Sequence, residues 1–420
     1  MKFLNTLSIN KSFTINTSSL FALNALNFLI SIIILPKLIN NFGIAGWGEI
    51  TFSQIIINYF IWIIDWSFPQ YACKQISIYE KNNAKRRSIF TNTRTSQLIL
   101  FFISSIIIIL YSLIFSDNKS IYLYSILILF GNFLQSYWYL NGREKIYETA
   151  FFQLFNKLLF TLFVFTLISK GNDISIYFLY FGLSSFITGC LCTLRIKYKY
   201  NEDIKFGNIK RAIKLIKESY MLFNSSIIGN LTNSCTPLLI GNFYNLESVG
   251  LYNIADRIKN ISIQIINPIS NSIFPKMSKY YNRNKENGNN KFIRFVFIIL
   301  LLGIFLLIIL NININYIVNY FLKEQASGIN TIIRILTFSF LINIIYESFV
   351  NQYLVINNLY NEINKIKLSI LFSTILFGIP LIYYKGLYGA AITSIIYETI
   401  GLLYAISVFI KTKNKEILLT

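Results

Sequence analysis

Ionisable side chains lie in or at the end of long apolar runs of this 420-residue chain, among them Asp65, Lys157, Asp256, Arg257, Lys259, Arg334, Glu347 and Glu398. A charge at the centre of a membrane helix costs about 2.5–3.5 kcal/mol on the insertion scale, so each needs a partner, a wet cavity or a task. Arg and Lys in a low-dielectric setting suit an anionic cargo, phosphate in particular. Carboxylates at that depth suit the exchange of a proton, which makes Asp256, Glu347, Glu398 and Asp65 the candidates for proton coupling. Histidine is absent, so no imidazole can act as relay, base or ligand. Cys73, Cys190, Cys192 and Cys235 lack the paired spacing of a zinc or redox site. No metal, cofactor or catalytic residue is expected.

The charged trio Asp256, Arg257 and Lys259 interrupts GLYNIADRIKNISIQIINPI, residues 250–269. Around it Asn253, Asp256 with Arg257, Asn260, Gln264, Asn267 and Asn271 recur at three- and four-residue steps, one polar stripe on an Ile-rich helix. Similar stripes are formed by Asn24, Asn27 and Ser31, by Thr51, Gln54, Asn58 and Asp65, and by Ser226, Asn230, Asn233 and Pro237. Two readings compete. In one, the amides and hydroxyls simply join helices, and Asp256 neutralises Lys259 at i, i+3. In the other, they line a polar interior in which Arg257, Lys259, Lys157 and Arg334, with Asn253, Asn260, Gln264, Asn58 and Gln54, contact substrate. Arg257, Lys157 and Arg334 have no acid at helical spacing, which favours the second reading for them. At about 100° per residue, Arg334 and Glu347 fall roughly 140° apart, so they line one cavity only if their helix breaks.

The elements that hold these residues are membrane helices. The chain is 54% hydrophobic and 13% charged, with mean hydropathy +0.54, which marks an integral membrane protein. Its net charge of +20 does not point to nucleic acid, because the basic residues sit between apolar runs rather than in a polar domain. Twelve spans are predicted, at 15–39, 47–67, 95–116, 121–141, 148–169, 174–194, 219–243, 249–274, 292–319, 328–355, 365–384 and 387–410. Assigning Lys and Arg of the connections alternately to two sides gives 29 on one and 5 on the other, which predicts both termini cytoplasmic and short outer loops. Lys2 and Lys11 ahead of an apolar run without a small-residue cleavage site predict a retained first span.

PKLINNFGIAGWGEITFSQI (36–55) and PLLIGNFYNLESVGLYNIADRI (237–258) are related stretches, each ending one span and opening the next. Pro36 and Pro69 correspond to Pro237 and Pro275, at offsets of 201 and 206 residues. Six spans per half predict parallel repeats, a six-helix bundle at 1–204 and a second at 219–420. Between them, residues 205–218 form a basic amphipathic connector, with Phe206, Ile209, Ile213, Ile216 and Tyr220 on one helical face, suited to the cytoplasmic membrane surface.

Residues 137–165, YWYLNGREKIYETAFFQLFNKLLFTLFVF, resemble the O-antigen flippases, the Wzx-type polysaccharide transporters of the MOP superfamily that also holds MATE proteins and lipid II flippases. The matching residues are Trp138, Tyr139, Asn141, Gly142, Glu144 and Lys145, together with Pro36, Gly43, Trp47, Gly48 and Asp65-Trp66-Ser67-Phe68 ahead of Ala72 and Lys74. Ser67 stands where the family usually has glycine. The resemblance implies an all-α integral membrane protein, twelve transmembrane helices in two pseudo-symmetric bundles facing a central cavity. It implies transport, not enzymatic chemistry: an undecaprenyl-diphosphate-linked oligosaccharide moved from the cytoplasmic to the periplasmic leaflet of the bacterial inner membrane by proton-coupled alternating access. Implied partners are that lipid-linked oligosaccharide, membrane lipids, and a glycan polymerase and chain-length regulator. A drug or cation antiporter of MATE type is the alternative, and a membrane glycan polymerase or ligase a more distant one, since the outer loops are too short to carry catalytic groups.

Overall fold

The computed structural model describes residues 11–202, 205–322 and 328–417, with side chains at 26, 30 and from 32 onward except Ser225, Asn233, Pro275 and 414–417. Of the expected features, the side chains of Asn24, Asn27, Ser31, Asn233 and Pro275 fall outside the described ones, as do Lys2, Lys11, Lys323 and Lys415 of the charge count. Among the described residues there is no strand. The elements are α1 (Lys11–Asp65), α2 (Phe68–Ile78), α3 (Asn83–Phe115), α4 (Lys119–Leu134), α5 (Tyr137–Gly142), α6 (Ile146–Thr166), α7 (Ser175–Tyr200) and α8 (Ile209–Glu218). They continue with α9 (Tyr220–Phe243), α10 (Leu246–Arg283), α11 (Lys285–Ile312), α12 (Ile314–Leu322), α13 (Ile329–Phe349), a π-helical turn Val350–Leu354, and α14 (Tyr360–Ile417).

Helix occupies most of every stretch predicted as a span, but 121–141 is broken between Leu134 and Tyr137 and 292–319 between Ile312 and Ile314. Seven helices among the described residues are long and apolar enough to cross a bilayer, and two of these, Ile32–Ile78 and Tyr360–Lys413, run 47 and 54 residues. Each long one is kinked at a glycine with positive φ, Gly43 (74°) and Gly386 (56°), a conformation that a Cβ disfavours. The apolar faces point outward: in α11, Phe297, Leu301, Phe305 and Ile308 are exposed, and in α3, Phe102, Ile106, Leu110 and Ile114. Such continuous outward apolar surface is at home only in lipid, and the protein is a multi-pass membrane protein. The helices with the densest polar stripes, α9 and α10, are not among the seven.

Two compact units are present, Met1–Gly43 with Ser53–Ile227, and Ile44–Phe52 with Ile228–Thr420. In the first, the core at one end is aromatic: Phe68, Phe90, Trp138, Tyr139 and Tyr200 pack with Ile76, Leu140 and Ile196. Helix α3 starts at Asn83, twelve residues before the apolar run at 95, because Asn82 caps it by accepting the Lys85 N–H at 3.0 Å. Arg86 and Arg94 are thereby helix residues. Helix α4 stops at Leu134, and the carbonyl freed there accepts the Thr193 hydroxyl at 2.9 Å. In the loop before α7, Asp173 accepts the Ser175 N–H at 2.6 Å, and that bond holds its carboxyl below the usual carboxylate range. The second unit is cored by Phe292, Phe340, Phe349, Tyr353 and Phe409 with surrounding Ile and Leu. Its π-helical turn is tied to α10 by Gln352, whose Nε2 donates to the Ser270 carbonyl at 2.7 Å.

Candidate functional site

Helix α10 carries the charged trio, and its first turn is fixed by Asn245, which accepts the Ser248 N–H at 2.9 Å. Residues 44–52 of α1 lie against that turn. A Cβ on Gly48 would overlap the Leu246 carbonyl oxygen, and one on Gly250 would overlap that of Ile44, so the two backbones touch. These glycines belong to the two related stretches, 36–55 and 237–258. Their approach seats buried Trp47 beside Arg257, whose guanidinium carbon lies 4.8 Å from the indole centroid while Nε donates to Asn253 Oδ1 at 3.2 Å. A cation over an aromatic face gains electrostatic attraction.

Two residues further on, the helical turn of about 100° per residue places Lys259 roughly 160° round the helix from Arg257. Lys259 is 5% exposed, and its Nζ lies 3.0 Å from Asp256 Oδ1 and 3.5 Å from Glu398 Oε1. Asn260 donates to the other Asp256 oxygen at 2.8 Å. Buried Tyr252, one turn earlier, shares a 3.1 Å hydrogen bond with Ser394 of α14. Glu398 is 2% exposed, and its Oε2 has no hydrogen-bond partner among the described residues. Two carboxylates therefore face one ammonium, Glu398 buried with it and Asp256 29% exposed at the edge, and the cluster is charge-balanced when it also holds one proton.

Lower on α10, Gln264, Asn267 and Asn271 are exposed rather than packed within the unit. Arg334 is exposed on α13, whereas half-buried Glu347 accepts the Asn351 amide at 2.9 Å. In the first unit, Lys157, Gln54, Asn58 and Asp65 are half-buried, and Asp65 is hydrogen-bonded to the Asn132 side chain. The structure thus gathers Asp256, Lys259 and Glu398 into one cluster and Arg257 with Asn253 into another.

Sequence reading missed several partners. Tyr252 and Ser394 carry no charge and showed no signal of their own, and Trp47, one of the residues that carry the resemblance, was not paired with Arg257. Three further groups were absorbed in the topology count or left unremarked. Glu148 accepts Arg195 Nε at 3.0 Å, Lys199 Nζ at 2.6 Å and the Tyr200 hydroxyl at 2.7 Å. Glu202 accepts Arg86 Nε at 2.6 Å and the Tyr139 hydroxyl at 2.8 Å. Arg94 is 3% exposed, its guanidinium 5.0 Å from the Phe133 ring centroid. In the Trp138-Tyr139 pair, Tyr139 thus bonds the buried Glu202 while Trp138 Nε1 donates to Gln97 Oε1 at 3.2 Å.

Comparison with known proteins agrees with this architecture. Residues 13–281 match the family model described as polysaccharide biosynthesis protein. A candidate O-antigen transporter of Escherichia coli (strain K12) is 22% identical over 268 residues, 62% of this chain and 64% of that protein. The capsular polysaccharide biosynthesis protein CapF of Staphylococcus aureus is 27% identical over 209 residues, 50% of this chain and 51% of its own. The chain thus spans between half and two thirds of the length of these curated relatives. Among solved structures, the lipid II flippase MurJ in an inward closed conformation superposes with a TM-score of 0.75 at 15% identity, covering 94% of this chain and 87% of that one. An inward-facing multidrug resistance MATE transporter of the MOP superfamily gives 0.69 at 14% identity, over 93% and 96%. These likenesses establish the all-α membrane transporter fold. With nearly two thirds of its length matched by the family model, the chain belongs to the polysaccharide biosynthesis protein family.

Proposed function

We propose that the protein is a flippase: it carries an undecaprenyl-diphosphate-linked oligosaccharide, an O-antigen or capsule repeat unit, from the cytoplasmic to the periplasmic leaflet of the bacterial inner membrane by alternating access. It works as a transporter and not as an enzyme, with both termini cytoplasmic. The observation that carries this reading is the α10 stripe. Arg257 is stacked on Trp47 at its upper end, and Gln264, Asn267 and Asn271 below it are exposed instead of spent on helix packing. A polar face of that length is not solvated by lipid, so it serves a wet path for a polar cargo. Arg257 offers the forked donor set that a diphosphate or acidic sugar accepts, and the amides offer sugar hydroxyls their hydrogen bonds. Lys157, Arg334, Gln54 and Asn58 are the further candidate contacts. The Asp256–Lys259–Glu398 cluster takes and releases the coupling proton, with Asp65 and Glu347 as the other candidate carriers. A polymerase and chain-length regulator would act on the product.

The test is deletion of the gene in its host. Lipid-linked repeat units should accumulate on the cytoplasmic face, and the wild-type gene should restore export where Arg257→Met at normal protein level does not. Undiminished export, with new sensitivity to cationic drugs, would instead support the antiporter reading.

A further inference from the structure

The charges buried at the aromatic end of the first unit are paired, with one exception. Arg86 has Glu202, and Glu148 has Arg195 and Lys199. Arg94 is 3% exposed and shares no ion pair among the described residues, and its Nη1 is buried without a hydrogen-bond partner. Its guanidinium carbon lies 5.0 Å from the Phe133 ring centroid and 5.7 Å from that of Phe90. Aromatic faces attract a cation but carry no counter-charge. A charge taken out of water must be neutralised or paired, and a guanidinium keeps its proton at any working pH, so pairing is the remaining course. The groups around it are donors. Ser136 is fully buried, and neither its hydroxyl nor that of Tyr137 has a hydrogen-bond partner among the described residues. The Ser136 N–H reaches the sulfur of Cys192, itself fully buried, and both Arg94 and Tyr137 lie within electrostatic range of that thiol. They meet where α4 gives way to α5, a break inside a predicted span, and irregular backbone at that depth is tolerated only among polar company.

We propose that Arg94, Ser136 and Tyr137 bind one small monovalent anion, a halide, inside the first unit. The lone guanidinium sets the valence. Burial sets the size, because Arg94, Ser136 and Cys192 are closed to a lipid headgroup or a sugar. Water would satisfy the two hydroxyls and leave the charge unbalanced, whereas a halide accepts from both hydroxyls and from the guanidinium at once. The ion is a fixed counter-ion that ties α3 to the α4–α5 junction beside α7, and it is not cargo. The inference stands apart from the flippase reading, since it needs only the first unit as folded.

The test melts the full-length protein in detergent, first in sodium gluconate and then as chloride or bromide replaces gluconate at constant ionic strength. The melting temperature should rise by about 3 °C or more and saturate, as binding to the folded state alone requires. Arg94→Met should melt at one temperature in both salts. Should that variant not fold, Ser136→Ala with Tyr137→Phe keeps the cation and removes two donors, and it should raise the halide concentration of half-effect about tenfold. In crystals grown with bromide, an anomalous peak should lie against the Arg94 guanidinium. Equal melting in gluconate and halide would overturn the proposal, as would a halide effect that persists in Arg94→Met or an unchanged half-effect in the double variant. Bromide bound only at other positions would overturn it too.

Discussion

Arg257 and Lys259 stand two residues apart on α10 and have different fates. Arg257 faces the polar stripe over Trp47, while Lys259 turns into the unit between two carboxylates. Removing each should therefore fail in a different way. Arg257→Met is expected to cut glycan export tenfold or more at unchanged protein level, and Arg257→Lys to fall in between, because an ammonium keeps the charge but loses the fork and the stacking. Lys259→Met leaves Asp256 and Glu398 facing each other without their cation, and breaking a buried pair in this way costs about 3–5 kcal/mol. That variant should melt early and accumulate poorly. Glu398→Gln keeps the shape and removes the surplus acid, so it should fold. In proteoliposomes an imposed proton gradient should then no longer accelerate transport. Persistent acceleration would move the coupling to Asp65 or Glu347.

At the scale of elements, the ion hubs of the first unit differ in depth, and this orders their energetics. Glu202 and Arg86 have side chains 0% and 8% exposed, whereas the Glu148 partners Arg195 and Lys199 are 46% and 38% exposed. Glu202→Gln leaves a buried guanidinium without its counter-ion, at about 3–5 kcal/mol, while Glu148→Gln, with partners half in solvent, should cost about 1–2 kcal/mol. Thermal denaturation in one detergent ranks the two; a reversed order would show that burial is not what sets the cost. Gly48→Ala should lower stability by about 1–3 kcal/mol or more, since the added methyl meets backbone, which has no rotamer by which to yield. The sequence revealed these elements unevenly. Apolar run length located a helix at each predicted span but gave no sign of α2 or of the first turns of α3, and helical spacing already paired Asp256 with Lys259. The Trp138-Tyr139 motif was visible, but its purpose was not, because its partners Arg86 and Glu202 arrive from positions 53 residues before and 63 after Tyr139. Glu398 was flagged as ionisable, yet its meeting with Lys259 is a contact 139 residues apart that no local periodicity encodes.

For the whole molecule, the outstanding claim is orientation. The basic residues of the connections divide 29 to 5 when assigned alternately to the two sides. Positive charge is retained on the cytoplasmic face during insertion, so this bias predicts which loops face outward. The consequence is tested with single cysteines at exposed loop positions. Asp117→Cys and Ser169→Cys, in the α3–α4 and α6–α7 connections, should react with a membrane-impermeant maleimide in intact spheroplasts. Lys81→Cys and Glu286→Cys, in the α2–α3 connection and the first turn of α11, should react only once the membrane is opened. The native thiols are half-buried or buried, so the wild-type chain supplies the background. Labelling of all four from outside, or the reverse pattern, would show that a span had been gained or lost.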